Sequence, residues 1–393
     1  MLYSFPHKIG ATRICYTAWQ QVSGLVAAGA DVHLFPGAVH KRVEGCAEVT
    51  PTLSRGRLRL PYKVVGTMRA LALHDYLVAR QLPKLKDRPD IVHTWPDAAL
   101  RTVQAATRLG IPTVLERPNA HTRYAYTAVQ QESNRLGIVL PRENEYAFKD
   151  DVLRREEEEY RQADYLLCPS DFVRDTFLRE GYPSNKLLRH QYGYDPAVYY
   201  PPVGDSKASS QGLTMLFAGD CAVRKGLHFA LEAWLRSPAH EQGRFLIAGR
   251  FLPAYADKLG NMLSHPSVQV LGYRTDVPEL MRSSDVFVLP SIEEGSALVT
   301  ADARASGCVL LVSKASGAVC EHMENALVHN VGDVPTLARH ISSLNDDRSL
   351  LRRLRAASLS SVQQITWSAA GVKLLKVYSQ AISLHRCGLA KSN

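Results

Sequence analysis

The chain has 393 residues, a length that exceeds one ordinary hydrophobic core and suits two domains. Hydrophobic residues at 46% and charged residues at 22% exclude a largely disordered protein, and no apolar run approaches the ~18 residues that span a bilayer. A formal net charge of +9 favours anionic partners of any kind, but no basic run alternates with aromatics, so nucleic acid is not expected among them.

The opening residues, MLYSFPHKIGATRICYTAW, lack the apolar block of an export signal. The seven cysteines are scattered, with no close pair to clamp a metal. A cytoplasmic chain with free thiols is the expectation, with room for peripheral contact at the inner face of an anionic membrane.

In chain order, Met1 to Phe35 fits a strand, a helix ending at Gly29 and a second strand. Short apolar runs then alternate with helical stretches, the pattern of βαβ units and parallel sheets. Asp90 to Thr94 reads as a strand, Asp97 to Leu109 as a helix stopped by Gly110, and Pro112 to Glu116 as the next strand. Asp151 to Tyr160 is a charged helix leading into the strand Tyr165 to Pro169, after which Ser170 or Asp171 caps another helix ending at Gly181. Gly193 to Gly212, rich in proline, glycine and serine, is the expected interdomain linker. The rhythm restarts with LTMLFAG, RFLIAG, SVQVLG, DVFVLP and CVLLVS, and Ile365 to Ile382 closes the chain as an amphipathic helix able to pack across both domains. The expected division is 1–200, 201–366 and a returning helix over 367–393.

Ligands of open parallel sheets bind where strands end and helices begin. Asp285 to Gly307 (DVFVLPSIEEGSALVTADARASG) reads as a strand, a loop and a helix over Ala297 to Ser306, with Ser296 as its N-cap and Gly307 as its stop. The backbone N–H groups of Gly295, Ser296 and Ala297 then form an anion site at the helix start. Glu294 precedes it, and Asp302 follows with seven residues between them. Two acceptors beside an anion site suit a ligand that joins hydroxyls to phosphates. Composition and spacing alone would leave Glu293 and Glu294 as a solvated loop and Asp302 as surface charge.

A second loop of this construction, Gly219 to Gly226 (GDCAVRKG), offers Arg224 and Lys225 to a diphosphate. In the first half, Glu116 to His121 (ERPNAH) brings an arginine, an asparagine and a histidine to the expected rim of the site. His121 is a candidate to orient a donor or an acceptor hydroxyl, and His93, near a strand end, is a weaker candidate of the same kind.

These loops, in this order, resemble the family 4 retaining glycosyltransferases of the GT-B fold, group 1. The resemblance is strongest over Leu213 to Gly317. It rests on Lys225-Gly226, on a strand ending Ala248-Gly249, on LGYRTDVPELMRSSDVFVLPSIEEG, and on two acidic residues separated by seven. Weaker echoes lie in Arg155 to Ser170, in GYDPAVYY and in Trp367 and Tyr378.

The resemblance implies two Rossmann-like doubly wound domains facing a cleft, a nucleotide-sugar donor, and a glycan, lipid-linked glycan or other hydroxyl acceptor. It places Lys225 and Arg224 on the diphosphate, Glu294 on the transferred sugar, Asp302 on the ribose and His121 near the reacting carbon. It also implies a metal-independent reaction with no cofactor, and no Asp-x-Asp loop stands in the sequence.

The chain departs from the family pattern at Asp302, where glutamate is usual, and at Gly295-Ser296-Ala297, where Gly-Phe-Gly is usual. It departs again at Asp220, where arginine often stands. A nucleotide-sugar epimerase of the same build and a non-catalytic nucleotide-sugar-binding subunit remain open. A Rossmann oxidoreductase does not fit, because no strand is followed by Gly-x-Gly-x-x-Gly.

Overall fold

The computed structural model describes residues 1–55, 58–60, 65–202 and 212–392. Its contacts divide the chain into two compact units, each built on its own parallel sheet. Residues 203–211, within the expected linker, lie outside the described residues.

The first unit comprises Met1–Pro118, Lys149–Tyr192 and Trp367–Asn393. Its strands are β1 (Leu2–Ile9), β2 (His33–Val39), β3 (Glu48–Val49), β6 (Val92–Thr94), β7 (Thr113–Glu116), β8 (Tyr165–Cys168) and β9 (Leu187–Arg189), with a small antiparallel pair, β4 (Ser54–Arg55) and β5 (Leu58–Arg59), set apart. The sheet runs β3-β2-β1-β6-β7-β8-β9 with every pairing parallel. The central strands are short and buried end to end, as expected where helices cover both faces. Ser170 accepts a hydrogen bond from the Val173 N–H at 3.2 Å and so caps the helix Asp171–Arg179.

The closing helix, Trp367–Ser392, belongs to this unit and packs along Ile14–Ala27. The two meet at Gly24 and Gly371, where a Cβ on Gly371 would collide with the Gly24 carbonyl group. Only the absence of a side chain permits this approach.

The second unit comprises Asn119–Phe148 and Gly193–Thr366. Its strands are β10 (Thr214–Ala218), β11 (Arg244–Ala248), β12 (Val268–Gly272), β13 (Val286–Leu289), β14 (Val309–Ser313) and β15 (Ala326–His329), ordered β12-β11-β10-β13-β14-β15 and all parallel. The strand order reverses between β10 and β13, so loops leaving these neighbours diverge to opposite faces and leave a crevice at their carboxyl ends.

The division differs in detail from the one expected at 200 and 366. The change of unit falls at Tyr192/Gly193, and Asn119–Phe148, which lies between β7 and β8 in the chain, packs with the second unit. Leu136 and Ile138 of this segment enter the second unit's core. Its helix, Thr122–Arg135, is anchored where Glu132 Oε1 lies 2.8 Å from His228 Nε2, on the helix Leu227–Arg236.

Candidate active site

The loops after β10 and β13 carry the two sequence motifs and meet at the switch point of the second sheet. Gly226 ends the first loop with φ +67°, pressed against the Pro290 carbonyl so that no larger residue fits there. The Ile292 N–H donates to the Arg224 carbonyl at 2.8 Å and fixes the loops in register.

Arg224 Nη1 lies 2.9 Å from Glu294 Oε1 and donates to the Glu293 carbonyl at 2.9 Å, with Glu293 Oε2 at 3.5 Å. Lys225 Nζ pairs with the same oxygen of Glu294. The Arg224 guanidinium also sits over the Tyr146 ring, 4.8 Å from its centroid. Glu293 is fully buried and accepts from the Ala120 N–H at 2.9 Å. The segment that delivers His121 is thereby tied to the segment that delivers Glu294.

The two adjacent glutamates are driven apart. Burial pushes both carboxyls up, but for Glu294 the charges of Arg224 and Lys225 outweigh it and hold the group below its ordinary range. For Glu293 burial prevails over Arg224, and its carboxyl is raised. Burial pulls Lys225 down despite Glu294, while Glu294, Tyr146 and Glu293 overcome burial and raise Arg224. The site thus holds an ionised carboxylate between two desolvated cations.

His121 is buried at the start of Thr122–Arg135, and its Nδ1 accepts from the Arg123 N–H at 3.2 Å. An accepting Nδ1 leaves the proton of a neutral ring on Nε2, which makes that nitrogen a donor.

Three expectations are corrected here. The helix after β13 runs Leu298–Ala305 with Ala297 at its N-cap position, so Ser296 is not the cap and no side chain performs that role. The Ala297 N–H donates to the Ser316 carbonyl at 3.1 Å and is not available to an anion. Arg117 turns inward, with Glu156 at 3.1 Å and the Tyr160 ring at 4.3 Å, instead of lining a rim.

Among the described residues Asp302 takes no part in the ion pairs of the charged cluster. It is hydrogen-bonded to Tyr199, and burial together with the nearby Asp195 charge pushes its carboxyl well up. His93 is structural: its Nδ1 lies 2.6 Å from the Tyr378 hydroxyl, its ring stacks on Tyr3, and burial depresses it to about 4.

Sequence reasoning missed Tyr146 and the part played by Glu293. RENEYAF carries no periodic or motif signal, since its value comes from folding back onto the second unit. Glu293 was legible only as one of two acidic loop residues.

Two Rossmann-like parallel-sheet domains define the GT-B class, and solved structures agree. Anabaena HepE in complex with UDP superposes with a TM-score of 0.67 over 96% of this chain and 99% of that one, at 16% identity. The model of Glycosyltransferase Family 4 matches residues 16–198, and that of Glycosyl transferases group 1 matches 212–347. The chain belongs to glycosyltransferase family 4.

Among curated relatives, the N,N'-diacetylbacillosaminyl-diphospho-undecaprenol alpha-1,3-N-acetylgalactosaminyltransferase of Campylobacter jejuni is 32% identical over 123 residues, covering 30% of this chain and 32% of that protein. The UDP-Gal:alpha-D-GlcNAc-diphosphoundecaprenol alpha-1,3-galactosyltransferase of Escherichia coli is 31% identical over 83 residues, covering 21% of each. The chain spans a third or less of the length of these two relatives.

Proposed function

We propose that the protein transfers a sugar from a nucleotide-diphosphate donor to a lipid-linked glycan, with retention of anomeric configuration. The observation that carries this reading is the convergence of Arg224 and Lys225 on Glu294 at the switch point of the second sheet. The donor diphosphate takes the two cations, Glu294 turns to hydroxyls of the transferred sugar, Asp302 serves the ribose, and the Nε2–H of His121 donates near the reacting carbon.

As the bond from the anomeric carbon to the leaving phosphate breaks, Arg224 and Lys225 stabilise the developing charge. The acceptor oxygen bonds to that carbon on the same face, and its proton passes to the departing phosphate oxygen. No separate base is required. Because two buried cations neutralise the diphosphate, a metal is not required either, and EDTA is expected to leave the rate unchanged.

The names of both undecaprenyl-diphosphate relatives support the acceptor class, and the UDP in HepE supports testing uridine donors first. The deciding experiment incubates the protein with a panel of nucleotide sugars and a short-chain polyprenyl-diphosphate glycan, scoring donor-dependent thermal stabilisation, product mass and anomeric configuration by NMR. Donor conversion without acceptor would replace transfer with epimerisation. Stabilisation by a donor with no product from any acceptor would leave a binding subunit.

A further inference from the structure

Two adjacent carboxylates, Glu293 and Glu294, are buried beside Arg224 and Lys225, and only Glu294 has a part in the proposed chemistry. The Oε1 of Glu293 accepts from the Ala120 N–H at 2.9 Å, its Oε2 lies 3.5 Å from Arg224 Nη1, and the Tyr146 hydroxyl donates to the same carboxylate. The charge of Glu294 acts on it from the same loop, and Lys225 feels its charge from the turn before Gly226. Glu145 adds a further negative charge near Arg224 and Tyr146.

Two carboxylates here face two cations. On the reading proposed above, a donor diphosphate brings one more negative charge on each phosphate to Arg224 and Lys225. Negative charge then exceeds positive charge in a buried site, where repulsion is weakly screened. Protonation of one carboxylate relieves it, because accumulating negative charge raises a neighbouring carboxyl.

Glu293 is the member placed to receive the proton. Arg224 Nη1 approaches Glu294 to 2.9 Å but the carboxylate of Glu293 only to 3.5 Å, and Lys225 pairs with Glu294. Burial already holds the Glu293 carboxyl above its ordinary range, whereas the cations hold that of Glu294 below it. When Arg224 turns to phosphate, Oε2 of Glu293 loses that cation while Oε1 keeps the Ala120 N–H.

We propose that Glu293 takes up a proton from solvent as the donor diphosphate binds, so that donor affinity falls as pH rises. No bond of the donor changes in this step. A solvent proton joins the carboxylate and leaves a neutral carboxyl beside Glu294, which stays ionised for sugar hydroxyls. The inference rests on the diphosphate reading of Arg224 and Lys225.

The test is isothermal titration calorimetry of the full chain with UDP-glucose, then with the other nucleotide sugars of the panel, in PIPES and in imidazole, buffers of different ionisation enthalpy. The diphosphate of a nucleotide sugar is a diester with no titrating proton near neutrality, so a buffer-dependent enthalpy reports protons taken up by the protein. Uptake of up to about one proton per donor is expected. Kd should rise by up to about tenfold per pH unit over the interval in which only the bound form keeps the proton, and level off on either side. Glu293→Gln, an isostere of the protonated carboxyl, should bind without uptake and with a Kd that no longer follows pH. Unchanged circular dichroism and melting temperature establish that this variant is folded, and the wild-type buffer dependence decides uptake without it. Wild-type binding with no buffer dependence and a constant Kd would overturn the inference and leave the transferase reading standing. Uptake that persists in Glu293→Gln would move the proton to another group and overturn it equally. Failure of every nucleotide sugar to bind the wild type would instead sink the diphosphate reading itself.

Discussion

Two buried carboxylates at strand ends do opposite work in this molecule. Glu116, at the end of β7, is fully buried and ringed by short, fixed partners: Gln21 Nε2 at 2.9 Å, the Tyr192 hydroxyl at 2.9 Å and His190 Nε2 at 2.9 Å, with His93 Nε2 at 3.6 Å. Glu294, after β13, is held by the long arms of Arg224 and Lys225. The first arrangement leaves no group for a ligand to recruit. The second uses long side chains with several rotatable bonds, which under the proposed function a diphosphate draws away from the carboxylate. Burial of charge is thus shared by architecture and by site, and what separates them is whether the partners can change allegiance.

The most severe way to probe the contrast is to remove Glu116. Glu116→Ala should destabilise the protein by about 3 to 5 kcal/mol, the cost of breaking a buried charged network, as read by urea unfolding. The same network predicts acid sensitivity. His93 is depressed from 6.5 to about 4, so the unfolded chain binds the extra proton, and stability should fall as pH drops from 6.5 toward 4 by on the order of 3 kcal/mol. The lowered carboxyl of Glu116 acts in the same direction once pH falls below its ordinary 4.5, so thermal melts carried from pH 6.5 to below 4 test both.

At the second carboxylate the loss should appear in rate. Glu294→Ala and Lys225→Ala should each lower kcat/KM about a hundredfold, near 3 kcal/mol, with melting temperatures close to wild type. Large destabilisation with little kinetic effect would make Glu294 a second Glu116. The mildest change is expected at Asp302, which takes no part in the ion pairs of the cluster: Asp302→Ala should raise the donor KM by up to about tenfold, the worth of one hydrogen bond, with kcat nearly constant.

Much of the architecture was legible because parallel strands are written as short apolar runs and their helices start and stop at capping residues and glycine. Ser170, Gly226 and the strands DVFVLP and CVLLVS illustrate this. Arg224, Lys225 and Glu294 were legible as a group because both loops follow neighbouring strands. The fate of individual backbone amides was not: whether the Ala297 N–H is free depends on Ser316, nineteen residues later, which no local pattern encodes. The same holds for Arg117, whose inward turn depends on Glu156 and Tyr160. It holds again for Asn119–Phe148, whose allegiance is decided by hydrophobic contacts made with strands that come later in the chain.

The interleaving of the two units also bears on how the protein is made. The first unit needs Trp367–Asn393 to bring Gly371 against Gly24, and the second needs Asn119–Phe148 to await β10 and the strands that follow. The first unit cannot finish until Trp367–Asn393 has been made, and the second cannot finish until Gly193–Thr366 has been made. Pairings so distant in sequence are slow to form. A nascent chain of this design therefore carries the open face of Ile14–Ala27 until Trp367–Ser392 has been made.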